Sequence, residues 1–446
     1  MQNAPAASAQ NAARNIPQLR RTNRISWMIS GWITTADLGP DGGGTAALTL
    51  GCSDDFYAVR LGFANSTPHP WKLTKVIGCA SESFGDYINP QGAAEWMSFT
   101  SSSGVDDADE PIILHPAPTE LTVAGNVDAA PSDLRWTWTN WTPIVSTTPD
   151  PATGMRVLML RALIPSAQTV CYANSQLRTL TGYPSLNRGF DCFIGGVKFN
   201  FDFVTRPAVP SGELALKETW IHNQLTTGSL FPIVQFKTKN PGAVGITTGD
   251  SHHQGTTATD QVAGYLYRAT TTLGSGYVGR VPFGMVNCAF GGARSNQFFP
   301  RFEGLLSAVE PSYAVLPGWT YTDCNGAVHA DATAVERFTQ RLFEVVDLCR
   351  RSNVVPIVLT PLPRSPASMT SVQLAPWRAL REKILDMRLS GIPVLDVTAL
   401  VGAKSGGEFT GTYLPSLSND EMHPNDSGHF IIASRLVDLL QATCGV

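Results

Sequence analysis

From Val244 onward, short apolar segments alternate with longer segments of helical periodicity. The strand-like segments are Val244–Thr248, Met285–Ala289, Tyr313–Leu316, Val354–Thr360 and Val394–Val397. Near-continuous apolar strands separated by helices predict a parallel sheet covered on both faces. This alternation restricts the C-terminal half of the chain to an α/β fold with a five-stranded parallel sheet.

The clearest helical pattern in this half runs from Asp331 to Ser352. Its apolar side chains recur at spacings of three and four residues, which places them on one helix face. They are Val335, Phe338, Leu342, Val345 and Cys349. A single apolar face predicts a helix that packs against the sheet.

The N-terminal half has a different pattern, in which short β-branched and aromatic runs are separated by Gly, Pro, Asn and Asp. Many short strands at this spacing predict an all-β domain of the β-sandwich or jelly-roll kind. A chain of 446 residues is also long enough for two domains. We therefore predict a flexible arm over residues 1–24, a β-sandwich-like accessory domain over 25–235 and an α/β domain over 236–446.

Charge and hydropathy narrow the classes of partner. The net charge of −4 is spread without a basic stripe, which gives no indication of nucleic-acid binding. No run of about 18 apolar residues is present, so no membrane span is expected. Residues 1–24 lack the apolar core of a signal peptide. The location is therefore open between a secreted or periplasmic protein whose signal has been removed and a cytoplasmic one, and the oligomeric state is also open.

The eight cysteines are scattered without a Cys-x-x-Cys pair, so the spacing predicts no zinc site. Cys52 with Cys79, and Cys171 with Cys192, are candidate disulfides of an exported domain. Sequence alone does not pair them.

Two polar segments carry the chemistry. Ser251 follows a β-branched run, at the C-terminal edge of a predicted strand, where open α/β folds bind their ligands. A serine hydroxyl needs a positioned base, and Asp420 lies three residues before His423, so that one loop carries both. We predict that Ser251 is the nucleophile, His423 the base and Asp420 the group that orients the imidazole.

Together these segments resemble the GDSL (SGNH) hydrolase family. The first block is Gly249-Asp250-Ser251 with Gly255 downstream, and the last block is Asp420 to Pro424, followed by Gly428 and Ala433. The resemblance implies a flavodoxin-like three-layer α/β/α sandwich and a serine esterase that forms an acyl-enzyme. It implies small ester substrates, among them acylated carbohydrates such as O-acetyl glycans, and neither a cofactor nor a metal.

Acyl transfer also needs hydrogen-bond donors for the oxyanion. The first is the backbone N–H of Ser251. The resemblance implies a second donor from Gly292, with Gly291 as the near alternative. It implies a third donor from an asparagine, at the position where this sequence has Thr320. Asn325 and Asn296 are alternative sources of that third donor.

Several other residues are predicted around the crevice. Asp250, Trp319 and Arg294 are predicted to bind the substrate, with the Thr360–Arg364 turn at the rim. Asp250 is also expected to brace its loop by hydrogen bonds to nearby N–H groups. The remaining candidates are expected in lesser roles: His252 and His253 lining the crevice or surface, His429 packing or capping, and Asp396 structural or facing the substrate.

Three other functions are alternatives to the esterase. A metallophosphoesterase with His423 and His429 as ligands requires Asp-x-His and Gly-Asn-His blocks, which the sequence lacks. An acyltransferase uses the same triad and differs only in the acceptor. A carbohydrate-binding protein with a decayed hydrolase domain is the non-enzymatic alternative, because the asparagine expected at Thr320 is missing.

Overall fold

The structure is a computed structural model, and it describes residues 22–28, 33–38, 44–52, 54–83, 95–102, 111–115, 135–151, 154–165, 167–174, 192–193, 228–229, 233–258, 264–274, 283–320, 323 and 332–444. The described chain divides into two compact units. One comprises Thr22–Gly242 with Thr271–Val286, and the other comprises Ala243–Thr270 with Asn287–Val446.

The N-terminal unit is built mainly from short strands. They are β1 (Thr22–Met28), β2 (Ile33–Leu38), β3 (Gly44–Cys52), β4 (Phe56–Asn65), β5 (Trp71–Leu73), β6 (Lys75–Ser81), β7 (Met97–Ser98), β8 (Ile112–Leu114), β9 (Arg135–Trp138), β10 (Arg156–Ile164), β11 (Gln168–Asn174), β12 (Cys192–Phe193), β13 (Gly228–Ser229) and the first part of β14 (Ile233–Thr247). The β-rich character predicted for this part of the chain is confirmed.

Antiparallel pairing organises these strands. One sheet has the order β12-β3-β10-β6-β7, a second has β13-β11-β2, and β5 pairs with β8. The first part of β14 pairs with β1 and β4, and β4 also pairs with β9. Strand β10 lies between β3 and β6 and is buried along almost its whole length, as its Val- and Leu-rich sequence favours.

Tryptophans on β9 and beside it pack against cationic side chains. The Arg60 guanidinium lies 4.8 Å from the Trp138 ring centroid and 4.9 Å from that of Trp141. The Lys237 ammonium lies 4.6 Å from the Trp141 ring. Cations over indole faces stabilise such a cluster, and they account for these rings without a ligand.

The C-terminal unit alternates strands and helices. It contains the end of β14, then α1 (Ser251–Gln254), the start of α2 (Tyr265–Gly274), α3 (Ser295–Val309), β16 (Tyr313–Leu316), α4 (Ala332–Arg351), β17 (Val355–Leu359), α5 (Ser371–Asp386), β18 (Val394–Leu395), α6 (Val397–Val401), β19 (Gly402–Ser405), β20 (Glu408–Tyr413) and α7 (Asp426–Cys444). Strand β15 (Phe283–Asn287) pairs with β14.

The sheet positions the candidate site. Strand β14 pairs in parallel with β16, β16 with β17, and β17 with β18. Every residue of β16 and β17 is buried, which is the burial expected of strands covered on both faces. Helix α4 coincides with the predicted helix, and its five predicted apolar residues are at most 3% exposed. All five predicted strand segments are therefore present as strands.

The domain boundary differs from the prediction. Residue 235 lies inside β14, and the units divide between Gly242 and Ala243. The chain remains extended through Lys239-Asn240-Pro241, which are exposed between two buried stretches of the same strand. The pairing of β14 with β1 continues to Gly242.

The candidate disulfides are also corrected. Cys52, Cys79 and Cys171 are buried, and no disulfide joins them to one another. Cα pairing places Cys52 opposite Arg156 and Cys79 opposite Met159, on the two outer strands that flank β10. Cys52 and Cys79 therefore lie on opposite sides of the same strand, too far apart for a disulfide.

Candidate active site

Ser251 begins α1, directly after the turn that ends β14 (residues 248–251, here the serine turn). Gly249 has φ +139°, and a Cβ atom there would lie 2.5 Å from the His253 ring, so the turn requires glycine. Asp250 is the N-cap, and its carboxylate accepts a hydrogen bond from the His252 N–H. Ser251 remains partly exposed at the carboxyl end of a parallel strand. This is the edge at which α/β sheets bind ligands.

Ser251, His423 and Asp420 form one hydrogen-bonded chain. Ser251 Oγ lies 2.8 Å from His423 Nε2, and His423 Nδ1 lies 2.7 Å from Asp420 Oδ2. A proton on Nδ1, shared with the carboxylate, leaves Nε2 as the acceptor for the serine proton. The structure thus brings together the three residues predicted to form the triad.

The Asp420 carboxylate also organises its own loop. Its Oδ1 accepts hydrogen bonds from the His423 N–H at 2.7 Å, the Met422 N–H at 2.9 Å and the Ser418 hydroxyl at 3.3 Å. One oxygen therefore holds the loop while the other holds the imidazole. Glu421, the neighbouring carboxylate, is exposed and has φ +60°.

The ionisation states of Asp420 and His423 are those that a general base for Ser251 needs. Partial burial acts to raise the pKa of Asp420, but hydrogen bonds from the His423 side chain and from the N–H groups of His423 and Met422 hold this pKa at about 2. Burial lowers the pKa of His423, and His252 lowers it further, against the raising effects of Asp420 and Asp250. At neutral pH the carboxylate is ionised and the imidazole is neutral, as activation of a serine requires.

Asp250 lies beneath the serine turn and is 1% exposed. Its two oxygens lie 3.1 and 3.2 Å from His252 Nδ1, and Oδ1 lies 3.2 Å from His253 Nδ1. Burial alone would raise the pKa of Asp250, but the charge and hydrogen bond of His252, and then those of His253, hold it well below its usual value. The predicted substrate contact is corrected to the bracing role, because this carboxylate faces its own turn.

The histidines that follow Ser251 are buried, with His252 2% and His253 5% exposed. His252 Nε2 lies 2.6 Å from the carbonyl oxygen of Met422, and its ring centroid lies 4.9 Å from that of His423. Neither histidine is therefore a surface residue, and the ring of His252 lies beside that of His423. Asp250, two residues before His252, was the local signal, since an N-cap aspartate can bond side chains of the first helical turn.

The loop after β15 is tied to the serine turn. The Asn287 side chain donates to the carbonyl oxygen of His253 at 2.9 Å and accepts from the Ala289 N–H at 3.0 Å. The Phe290 N–H donates to the carbonyl oxygen of Gly249 at 3.1 Å. These bonds fix the position of the glycine pair that follows Phe290.

Gly292 is exposed, with φ +75° and open space where a Cβ atom would lie. Gly291, the alternative donor, is half-buried and directly precedes it. Within the described part of the chain, the N–H groups of Ser251 and Gly292 donate to no protein acceptor. Both N–H groups are therefore available to a ligand.

Thr320 is 2% exposed, and its hydroxyl donates to Asp323 Oδ2 at 2.8 Å. Asp323 Oδ1 accepts from the N–H and the hydroxyl of Ser295 at 2.9 and 2.8 Å. The proton that was predicted to serve an oxyanion is therefore bound to the partly buried carboxylate of Asp323. The predicted role of Thr320 is corrected to a link between the loop after β16 and the start of α3.

Trp319 and Arg364 are also buried, at 3% and 1% exposure. The Arg364 guanidinium donates to the backbone carbonyl of Thr320 and, at 3.4 Å, to that of Trp319. The predicted rim position of Arg364 is corrected, because its side chain holds the loop from inside, and Trp319, which was predicted to contact the substrate, is buried.

The carboxyl group of Asp396 is used structurally. It accepts from the Thr360 hydroxyl at 3.0 Å, caps α6 through the Ala399 N–H and pairs with the Arg381 guanidinium. Of the two roles expected for it, the structural one is therefore supported.

Three further predicted site residues are Arg294, Asn296 and Asn325. Arg294 is half-buried at the N-cap of α3, and its N–H is bound to the Gln297 side chain. Asn296 is in the first turn of α3, with a buried side-chain oxygen that has no hydrogen-bond partner among the described residues. Asn325 lies outside the described residues. Arg294 stays a candidate for contact with a substrate, and Asn296 stays a candidate for the third oxyanion donor.

Among the described residues, no group of three or more His, Cys, Asp and Glu side chains has the arrangement of a metal site. No helix in the described part of the chain is long and apolar enough to cross a membrane.

Comparison with family models and with curated proteins gives no match. Solved structures similar to this chain include a lipolytic protein of the G-D-S-L family from Desulfitobacterium hafniense, with 18% identity over 45% of this chain and 100% of that one and a TM-score of 0.36. An acylhydrolase from Bacteroides fragilis has 19% identity over 46% and 89% of the two chains and a TM-score of 0.36. An acetylxylan esterase from Geobacillus stearothermophilus has 15% identity over 46% and 95% and a TM-score of 0.35. Over about 45% of its length, the chain resembles proteins of the GDSL family and other acylhydrolases and esterases.

Proposed function

We propose that this protein is a serine esterase that hydrolyses small acyl esters through an acyl-enzyme. The observation that carries the proposal is the continuous chain from Ser251 Oγ through His423 to Asp420, with contacts of 2.8 and 2.7 Å. These are the distances at which a base takes the proton of a nucleophile and a carboxylate orients the base.

The first half-reaction forms the acyl-enzyme. Ser251 Oγ attacks the ester carbonyl carbon while its proton passes to His423 Nε2. The tetrahedral intermediate collapses when the imidazolium gives that proton to the leaving alcohol, and the acyl group remains on Ser251. Asp420 stabilises the imidazolium because it stays ionised, with a pKa of about 2.

The second half-reaction repeats these steps with water as the nucleophile. His423 takes a proton from water, the acid is released and the Ser251 hydroxyl is restored. The N–H groups of Ser251 and Gly292 are proposed as the oxyanion donors, supported by their lack of a protein acceptor among the described residues. Asn296 is the proposed side-chain donor, because the Thr320 hydroxyl is bound to Asp323.

The motif resemblance favours small acyl groups, among them O-acetyl groups on carbohydrate. Arg294 is the charged side chain proposed to contact the substrate, since it starts α3 just after Gly292 and is half-exposed.

We also propose the finer fold that the motifs imply. The pairing order β15-β14-β16-β17-β18 corresponds to the 2-1-3-4-5 order of flavodoxin-like sheets and supports a five-stranded parallel sheet. The antiparallel sheets of the N-terminal unit support an accessory domain of the β-sandwich kind.

The test measures hydrolysis of p-nitrophenyl acetate and butyrate, with a panel of O-acetylated glycans, by the wild type and by Ser251→Ala and Asp420→Asn. We expect Ser251→Ala to abolish turnover, because the nucleophile is lost. We expect Asp420→Asn to lower kcat by about 10⁴-fold, since the imidazole loses its tautomer and its counter-charge.

Ser434→Ala is the matched control, because Ser434 is an exposed serine on α7 whose hydroxyl bonds only its own helix. It should retain wild-type kcat. Turnover that survives in Ser251→Ala would overturn the proposal. Product formation that requires an added acceptor alcohol would instead identify an acyltransferase.

A further inference from the structure

His252 makes two hydrogen bonds that together define its charge. Its Nδ1 lies 3.1 and 3.2 Å from the oxygens of Asp250, and its Nε2 lies 2.6 Å from the Met422 carbonyl oxygen. A backbone carbonyl only accepts, and the Asp250 carboxylate is ionised because its pKa is held well below the usual value. Both ring nitrogens must therefore carry protons, so that His252 is an imidazolium paired with Asp250.

The other buried histidines nearby have different surroundings. His429 Nδ1 accepts from the Tyr265 N–H at 3.3 Å, and its Nε2 donates to the Thr256 carbonyl oxygen at 3.3 Å, which is the pattern of a neutral ring. His253 has a single side-chain hydrogen bond, to Asp250, and burial lowers its pKa. Of the three, only His252 has an acceptor at each nitrogen.

The bond from His252 fixes the peptide that carries the catalytic base. The carbonyl of Met422 and the N–H of His423 belong to one planar peptide unit. His252 holds that carbonyl from α1, and Asp420 holds that N–H at 2.7 Å from within the loop. The peptide is thus held at both ends, which sets the orientation from which the His423 ring reaches Ser251.

The charge of His252 also acts on the base directly. The two imidazole rings have centroids 4.9 Å apart and an interplanar angle of 40°. A fixed cation at this separation disfavours a second one, so it favours the neutral His423 that accepts the serine proton. The same repulsion makes the transient His423 imidazolium a stronger acid toward the leaving alcohol.

The charged groups that act on His423 come from its own loop and from α1, and Tyr413 of β20 lies near the carboxylates of both segments. Asp420 on its own loop and Asp250 at the α1 N-cap raise its pKa, whereas burial and then His252 lower it, and the net direction is downward. Tyr413 on β20 is neutral, because burial and the nearby Asp250 raise its pKa well above the ordinary value.

Resting on the esterase function proposed above, we propose that His252 is a positioning residue of the reaction: with Asp250 it forms a second histidine–aspartate pair that clamps the Met422–His423 peptide and places its ring beside that of His423. The pair lies outside the Ser251–His423–Asp420 triad and acts through His423 alone.

The experiment has one arm that requires no turnover. In Ser251→Ala protein, the ring protons of His423 are titrated by NMR with and without His252→Gln. Removal of the charge should make His423 titrate at higher pH in the double variant. In the wild type, both ring nitrogens of His252 should show ¹⁵N shifts of protonated nitrogen at neutral pH, a measurement that needs no variant at this position.

The kinetic arm compares kcat/KM across pH 5–9 for the wild type, His252→Gln and His253→Gln. His252→Gln should lower kcat about 10-fold at pH 8 through lost positioning, with KM nearly unchanged. The kcat/KM of His252→Gln should fall further below that of the wild type as pH falls. The reason is that the low-pH side of its pH–rate profile (the acid limb), which follows protonation of His423, moves to higher pH. His253→Gln is the matched control, because His253 also bonds Asp250 but does not contact Met422, and its acid limb should remain at the wild-type position.

An acid limb and a His423 titration that stay unchanged in His252→Gln would overturn the proposal. A deprotonated ring nitrogen on His252 at neutral pH would overturn it as well. Residual turnover in Ser251→Ala would instead overturn the esterase function, and the NMR titration separates that outcome from this one.

Discussion

At the scale of single residues, Asp323 is a partly buried carboxylate outside the triad, and its pKa is raised above the usual value. Burial raises its pKa, while hydrogen bonds from Ser295 and then Thr320 lower it. A carboxylate in such a position is stabilised mainly by its hydrogen bonds, because most of the solvent that would otherwise solvate it is excluded. The Thr320 hydroxyl is therefore expected to matter for stability and not for the reaction.

Replacement of Thr320 tests this assignment. Thr320→Val should destabilise the protein by about 1–3 kcal/mol, because a partly buried acceptor loses its donor, and should change kcat by less than about 3-fold. Urea unfolding and ester hydrolysis measure the two effects. Thr320→Ser keeps the hydroxyl and should lie close to the wild type in both. A loss of kcat of about 100-fold at unchanged stability would instead restore the oxyanion role.

At the scale of elements, the loops that follow β16 and β17 pack closely against each other. A Cβ atom on Gly318 would lie 2.5 Å from the backbone nitrogen of Pro361 and 2.6 Å from the carbonyl carbon of Thr360. Backbone atoms cannot move aside as a flexible side chain can. This glycine is therefore required by the approach of two loops at the edge of the sheet that carries Ser251.

Two alanine substitutions should have opposite effects on stability. Gly318→Ala should lower the free energy of unfolding by about 1–3 kcal/mol through overpacking. Gly304→Ala, in the exposed middle of α3 with open space around its Cβ position, should raise it by about 0.5–1 kcal/mol. Denaturant midpoints measure both, and a destabilised Gly304→Ala would contradict the position of α3.

Helix α7 buries His429 in its neutral form, which links stability to pH. Burial, the largest effect, lowers the pKa of His429 to about 4, whereas the unfolded chain has a histidine pKa of about 6.5. Between these values the unfolded state binds more protons, so stability is lost as pH falls from about 6.5 toward 4, by about 3 kcal/mol.

The check is the urea midpoint at pH 7.5 and pH 4.5 for the wild type and His429→Gln. Glutamine keeps one donor and one acceptor but does not titrate, so the variant should lose less stability on acidification. Equal losses in the two proteins would show that His429 is not the linked group.

At the scale of the whole molecule, both units contain buried free thiols. Burial raises the pKa of Cys79, Cys288 and Cys349 to about 12, with Cys79 in the N-terminal unit and the others in the C-terminal one. A thiol of this pKa has almost no thiolate at pH 8, and the thiolate is the reactive form.

We therefore expect these thiols to react slowly with Ellman's reagent in the native protein and rapidly in urea. Dithiothreitol should leave the thermal unfolding midpoint unchanged, because Cys79, Cys288 and Cys349 form no disulfide that reduction could break. A midpoint that falls by several degrees on reduction would contradict this expectation.

Part of the fold could be predicted from the spacing of apolar residues alone. Helix α4 and the strands of the C-terminal unit follow patterns of local hydrophobicity, and burial of those side chains matches them. The β19–β20 hairpin was missed although Gly406 and Gly407, both with positive φ, form its turn and are a known hairpin signal. Its strands are short and partly exposed, so their periodicity is weak.

The sequence by itself determined Ser251, Asp420 and His423 as candidates, because each depends on a contiguous segment whose chemistry is set by adjacent residues. Only the tertiary structure decided that Thr320 donates to Asp323, that Arg364 holds a loop through its backbone carbonyls, and that His252 contacts Met422. Whether a hydroxyl, an indole or an imidazole faces a ligand or a buried partner depends on where distant elements pack. His252 and Met422 are 170 positions apart in the chain, and no local pattern records their hydrogen bond.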